Sequence, residues 1–94
     1  MKEKLEAINN ELLKSFPNAK IEYRYFDDMH KFRLDFEHHT QWLYLGRETV
    51  EDNTIIELLN LLDIYQVIKA FKNNPRSKKI LLTRQVASEL PLES

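Results

Sequence analysis

The stretch Ile21-Glu22-Tyr23-Arg24-Tyr25-Phe26-Asp27-Asp28-Met29-His30-Lys31-Phe32-Arg33-Leu34-Asp35-Phe36-Glu37 decides the fold of this chain. Before Asp27-Asp28, Ile21, Tyr23 and Tyr25 fall on one side of a two-residue period, and Glu22, Arg24 and Phe26 fall on the other. After it, Phe32, Leu34 and Phe36 alternate with Lys31, Arg33, Asp35 and Glu37. Successive side chains of a strand point to opposite faces, so this pattern predicts two half-buried strands joined as a hairpin. Charge then selects the register. A two-residue turn at Asp27-Asp28 sets Glu22 opposite Arg33 and Tyr23 opposite Phe32. A four-residue turn would set Glu22 against Asp35 and Arg24 against Arg33. The tighter turn avoids both clashes, and Asp tolerates the positive φ that such a turn needs where glycine is absent.

Working outward, a bend at His38-His39-Thr40 leads to a third predicted strand, Gln41 to Leu45. Pairing Leu34 with Leu43 and Phe32 with Leu45 keeps the aliphatic side chains on one face and turns Trp42 and Tyr44 to the other. Gly46, the only glycine, stands where the meander must leave the sheet, and Thr49-Val50-Glu51-Asp52 is expected to cap the helix that follows. On the other side of the hairpin, Leu5, Ile8, Leu12 and Phe16 predict a helix from about Lys2 to Ser15, stopped by Phe16-Pro17-Asn18.

The segment from Glu57 to Lys72 has a polar residue at every third position: Glu57, Asn60, Asp63, Gln66, Lys69 and Lys72. A helix turns about 100° per residue, so positions three apart step back by about 60° and the polar row winds around the cylinder. Such a helix needs cover on most sides. Either it divides near Leu61 to Asp63, where Asp63-Ile64-Tyr65-Gln66 resembles a second capping box, or another copy of the chain supplies the cover. The helical segment should end near Asn73-Asn74-Pro75. Beyond it, Lys78 to Arg84 is read as a fourth short strand, with helix as the alternative, and Gln85 to Leu90 as a helical turn.

The fold class is therefore α+β in a single domain, residues 1–94, with an N-terminal helix, a three-stranded antiparallel meander, a long or broken helix on one sheet face and a fourth short strand. The chain is 43% hydrophobic and 31% charged, enough to bury a core and to stay in solution, and its net charge is −1. That balance gives no overall attraction to nucleic acid or an anionic membrane. With no cysteine there is no disulfide, thiolate metal site or cysteine nucleophile. No targeting signal is read, so a cytoplasmic location is the default expectation.

The face of the meander away from the core should display Arg24, Lys31, Arg33, Asp35 and Glu37 beside Phe26, Met29, Trp42 and Tyr44. This is more apolar surface than a solvated face requires, so Trp42, Tyr44, Arg33, Arg24 and Phe26 are the expected partner- or ligand-binding residues. Aromatic residues beside arginines could also stack single-stranded nucleic acid, but Asp35 and Glu37 on the same face speak against it, and nucleic acid is not expected. Leu58, Leu61, Ile64, Tyr65 and Ile68 are the expected self-association residues, and a homodimer is favoured.

His38-His39 reads as a surface pair, with His30 too far along the strand to complete a metal site. One glycine leaves no P-loop, dinucleotide fingerprint or nucleophile elbow. No catalytic residue, metal or cofactor is assigned. If an active site existed, His38, His39, Trp42 and Tyr44 would be its most nearly clustered groups. The expected function is a self-associating protein-protein interaction or accessory module without catalysis of its own. The alternative is a small-molecule binding or catalytic domain with a pocket between sheet and helices, lined by Tyr23 and Tyr25, or between subunits.

Overall fold

The computed structural model describes residues 2–64, 67–72, 79–82 and 87–90, with Ile64 and residues 87–90 described by backbone alone. Its elements are α1 (Lys2–Ser15), β1 (Lys20–Phe26), β2 (Met29–Asp35), β3 (Thr40–Gly46), α2 (Arg47–Asp52), α3 (Ile55–Ile64), α4 (Val67–Lys72), β4 (Lys79–Leu82) and β5 (Ala87–Leu90). The architecture is α+β, with the helices packed against a mixed sheet in the order β1-β2-β3-β4-β5.

The hairpin has the register that charge favours: Glu22 faces Arg33 and Tyr23 faces Phe32. Asp27 and Asp28 both adopt positive φ, 60° and 58°, as a two-residue turn matched to strand twist requires. β3 pairs antiparallel with β2 but two residues away from the expected register, with Phe32 opposite Leu43, Leu34 opposite Gln41 and His30 opposite Leu45. A two-residue slide keeps every side chain on its face, so alternation alone could not exclude it. Packing at the connection decides it. The Phe36 N–H donates to the His39 carbonyl (2.9 Å), the two rings stack at 4.6 Å, and Phe16 meets Phe36 edge-on at 5.6 Å. The bend therefore closes around Glu37-His38, one residue earlier than expected, and Gln41 is drawn into the core.

α1 ends as expected. The Phe16 N–H reaches back to the Leu12 carbonyl (2.8 Å), and the Ala19 N–H closes a turn over Pro17-Asn18 onto the Phe16 carbonyl (3.1 Å). Thr49-Val50-Glu51-Asp52 does not cap the long helical segment, because these residues lie inside α2. The cap belongs to Thr54 and Glu57. The Thr54 N–H donates to Glu57 Oε1 (2.8 Å), and the Glu57 N–H donates to Thr54 Oγ1 (3.2 Å), a reciprocal box at the start of α3. α2 is tied down at its far end, where the Lys4 ammonium donates to the Val50 and Glu51 carbonyls at 2.9 and 3.1 Å and the Asn53 amide donates to the Thr49 carbonyl at 2.7 Å.

Leu61 to Asp63 lies within α3, so the helix does not divide there. The described residues of the segment form two helices, α3 to Ile64 and α4 from Val67. Leu58 and Leu62 are buried from α3, and Val67 and Phe71 from α4. Both helices thus turn apolar side chains into the chain's own core. The rest of the chain supplies their cover: Ile8 and Leu12 of α1, Phe32 and Leu34 of β2, Leu43 and Leu45 of β3, and Ile80 and Leu82 of β4 join these residues in one cluster. The expected helix end at Asn73-Asn74-Pro75 lies outside the described residues, as do Lys78, Thr83 and Arg84.

β4 is the fourth strand expected between Lys78 and Arg84, and it pairs parallel with β3, Trp42 opposite Lys79 and Leu45 opposite Leu82. A parallel pair needs a crossover, which α2, α3 and α4 provide. The helical turn expected over Gln85 to Leu90 is, across its described part, the strand β5, antiparallel to β4 with Leu82 opposite Ala87. Its backbone continues the ladder that β4 would otherwise leave open.

Candidate functional site

The sheet has two unlike faces. Every buried hydrophobic residue of the four described helices packs into the cluster on the inner face. Opposite side chains of the same strands form the outer face: Lys20, Glu22, Arg24 and Phe26 from β1, Met29, Lys31, Arg33 and Asp35 from β2, Thr40, Trp42 and Tyr44 from β3, and Lys79 and Leu81 from β4. A concavity of about 340 Å³ on this face is lined by Glu22, Arg24, Phe26, Lys31, Arg33, Trp42 and Tyr44. All five residues expected to bind a partner or ligand, Trp42, Tyr44, Arg33, Arg24 and Phe26, meet here.

Rings and cations alternate across the face. The Lys31 ammonium stands 5.1 Å from the Phe26 centroid and 4.8 Å from that of Tyr44. The Lys79 ammonium stands 5.4 Å from Tyr44 and 5.7 Å from Trp42. These distances are within the range where a ring's negative face attracts a cation, at about 0.5–1 kcal/mol for exposed pairs. Phe26 remains 64% exposed at the strand end.

Both carboxylates described on this face are already engaged. Arg33 Nη2 donates to Glu22 Oε2 (2.9 Å) and Arg33 Nε to Asp35 Oδ2 (3.1 Å), while the Thr40 hydroxyl donates to Asp35 Oδ1 (3.1 Å). Lys20 lies 4.0 Å from Glu22. By contrast, Arg24, Lys31 and Lys79 form no ion pair with a described carboxylate. Glu37, expected on this face, lies in the connection beyond β2 and is exposed there. The sequence placed Lys31 on the face but not in the binding set, and it missed Lys79 altogether. The signal for Lys79 was present: it precedes Ile80 and Leu82 in an alternating strand whose aliphatic side chains must face the core.

On the inner face, Tyr23 and Tyr25 lie at the sheet's edge, 43% and 44% exposed, with their hydroxyls occupied. The Tyr23 hydroxyl is 2.7 Å from His30 Nδ1, and that of Tyr25 donates to Asp28 Oδ1 (3.2 Å). His30 beneath them is 4% exposed, and its Nε2 has no hydrogen-bond partner among the described residues. Burial lowers the His30 pKa from its ordinary value, the nearby Glu51 carboxylate opposing that shift. Burial also raises the phenol pKa of Tyr23, with Tyr25 adding to it.

The expected self-association residues sit differently. Leu58 is buried in the chain's own core, Leu61 and Ile68 pack partly buried against it, Ile64 is described by backbone alone, and Tyr65 lies outside the described residues. His38 is exposed beside Glu37 (3.7 Å) and His39 stacks on Phe36, while Trp42 and Tyr44 belong to the outer face. No group of three or more potential metal ligands occurs among the described residues, and none of their helices is long and apolar enough to cross a membrane. No family model, curated protein or solved structure matches the chain.

Proposed function

We propose that this protein is a binding module without catalytic machinery of its own, and that it works through the outer face of its sheet. One observation carries the reading: Phe26, Tyr44 and Trp42 lie on the face opposite the helices, each with a lysine ammonium over its ring. Aromatic side chains bring large, rigid contact area at low entropic cost, which is why they dominate binding surfaces. The combined Trp42→Asp and Tyr44→Ser variant tests this. It should keep the far-ultraviolet circular dichroism of the parent and a thermal midpoint within a few degrees of it, because these rings are not core. Loss of the fold would make the face part of the protein's own interior and refute the reading.

A second reading retains self-association, supported by Ile56, 71% exposed on the first turn of α3 beside the partly exposed Ile55. Light scattering across a dilution series checks it. A dimer dissolved by Ile56→Lys would place the contact on α3, whereas a dimer dissolved by Trp42→Asp would place it on the sheet.

A further inference from the structure

We infer that the occupant of the outer sheet face is a single-stranded nucleic acid, its bases stacked on Trp42, Tyr44 and Phe26 and its phosphates met by Arg24, Lys31 and Lys79; this rests on the face being the working surface. Against a chain net charge of −1, this face concentrates cations. Its two carboxylates, Glu22 and Asp35, are held by Arg33, which leaves Arg24, Lys31 and Lys79 without an acidic partner among the described residues. A second copy presenting the same face would set cations against cations, and like charges across a contact are a strong penalty. The occupant should therefore bring negative charge.

The arrangement of the rings narrows it further. Trp42 and Tyr44 are two residues apart on one strand, so their side chains leave the sheet about 7 Å apart on the same face. The path Phe26, Lys31, Tyr44, Lys79, Trp42 runs ring, cation, ring, cation, ring, every step between 4.8 and 5.7 Å. Single-stranded nucleic acid repeats the complementary order, with one flat base and one phosphate per unit. Stacking tolerates any base because every base has a π-face. An acidic peptide supplies the charge but few flat groups to cover the rings. A duplex supplies phosphates but keeps its bases stacked inside, so it could use only the cations.

Fluorescence anisotropy of labelled, mixed-sequence single-stranded DNA and RNA oligonucleotides tests the inference, with the emission of Trp42, the sole tryptophan, as a second readout. Binding is expected at low ionic strength, with a slope of log K on log salt of about −2, since three phosphate contacts each contribute about −0.7. Lys31→Gln and Lys79→Gln should each make that slope shallower by about 0.7. Trp42→Ala should weaken binding about fivefold or more while leaving the slope unchanged, because it removes a stack and no charge. A Tyr44→Ala variant repeats the stacking test should Trp42→Ala fail to fold. No binding at low salt overturns the inference. So does affinity for duplex DNA equal to that for single strands, or indifference to both aromatic substitutions. A polyglutamate probe that perturbs Trp42 where oligonucleotides do not would remove nucleic acid as the occupant and still leave the face a binding surface. Unfolding of the Trp42→Asp and Tyr44→Ser variant would remove the underlying reading instead.

Discussion

Leu43 and Trp42 are neighbours in sequence and opposites in circumstance. Leu43 is fully buried against the helices, and Trp42 lies on the far side of the same strand beneath the Lys79 ammonium. Both are large and apolar, so hydrophobicity does not separate them; the partners that the fold brings to each face do. The inner face has its requirements met by the chain itself, while the outer face holds Trp42 and Tyr44 partly buried beneath lysine ammoniums and Phe26 exposed at the strand end. What a sheet needs for stability and what it offers for binding can thus be distributed by the two-residue period of its strands.

The comparison breaks most easily at this pair. Leu43→Ala should cost about 2–5 kcal/mol of unfolding free energy, since it empties a fully buried site. Trp42→Ala should stay within about 1 kcal/mol of the parent. Urea denaturation measures both, and equal losses would mean that the outer face is as structural as the inner.

A smaller effect sharpens the comparison through pH. His30 is buried and its folded-state pKa is lowered, so the unfolded chain takes up that proton first as the solution acidifies. The contribution is fully present above the ordinary histidine pKa near 6.5 and is lost as pH falls below it toward the folded value. The slope from this one group cannot exceed about 1.4 kcal/mol per pH unit. His30→Phe should flatten the thermal-midpoint profile between about pH 7 and pH 5. At neutral pH it should cost no more than about 1 kcal/mol, because it removes one hydrogen bond, from the Tyr23 hydroxyl to Nδ1, together with an unpartnered buried nitrogen. An unaltered acid slope would assign the sensitivity to other groups.

The smallest effect belongs to the outer face. Glu22 and Arg33 form a 2.9 Å ion pair with both side chains nearly half exposed, so solvent screens it. A double-mutant cycle on Glu22→Gln and Arg33→Gln should return a coupling below about 1 kcal/mol, decreasing as salt is added. A coupling of several kcal/mol would show that this face is sealed from water.

The hairpin was legible because its register had a local arbiter: Glu22 could meet Arg33 or Asp35, and only one choice is attractive. The third strand had none. Shifting β3 by two residues preserves every facing, and the choice rests on Phe16, Phe36 and His39 meeting around the connection, a contact between distant parts of the chain. The Thr54 and Glu57 box was readable from spacing, yet the rival Thr49-Val50-Glu51-Asp52 drew the helix start too early. Of the candidate site, strand alternation alone placed the aromatic residues. Lys79 could not be placed beside Trp42 without the parallel pairing of β3 with β4, which depends on where three helices return the chain.

That return also imposes an order on folding. The hairpin and β3 can assemble from near neighbours, but the second edge of β3 must wait until α2, α3 and α4 have brought β4 alongside it. Until then a strand bearing Leu43 and Leu45 presents unpaired backbone, the kind of template on which chains join one another. Arrival of β4 closes that edge and in the same step delivers the Lys79 ammonium to Trp42. Protection from aggregation and completion of the outer face thus come together, and a chain interrupted before Lys79 would be adhesive and would lack the ammonium over Trp42.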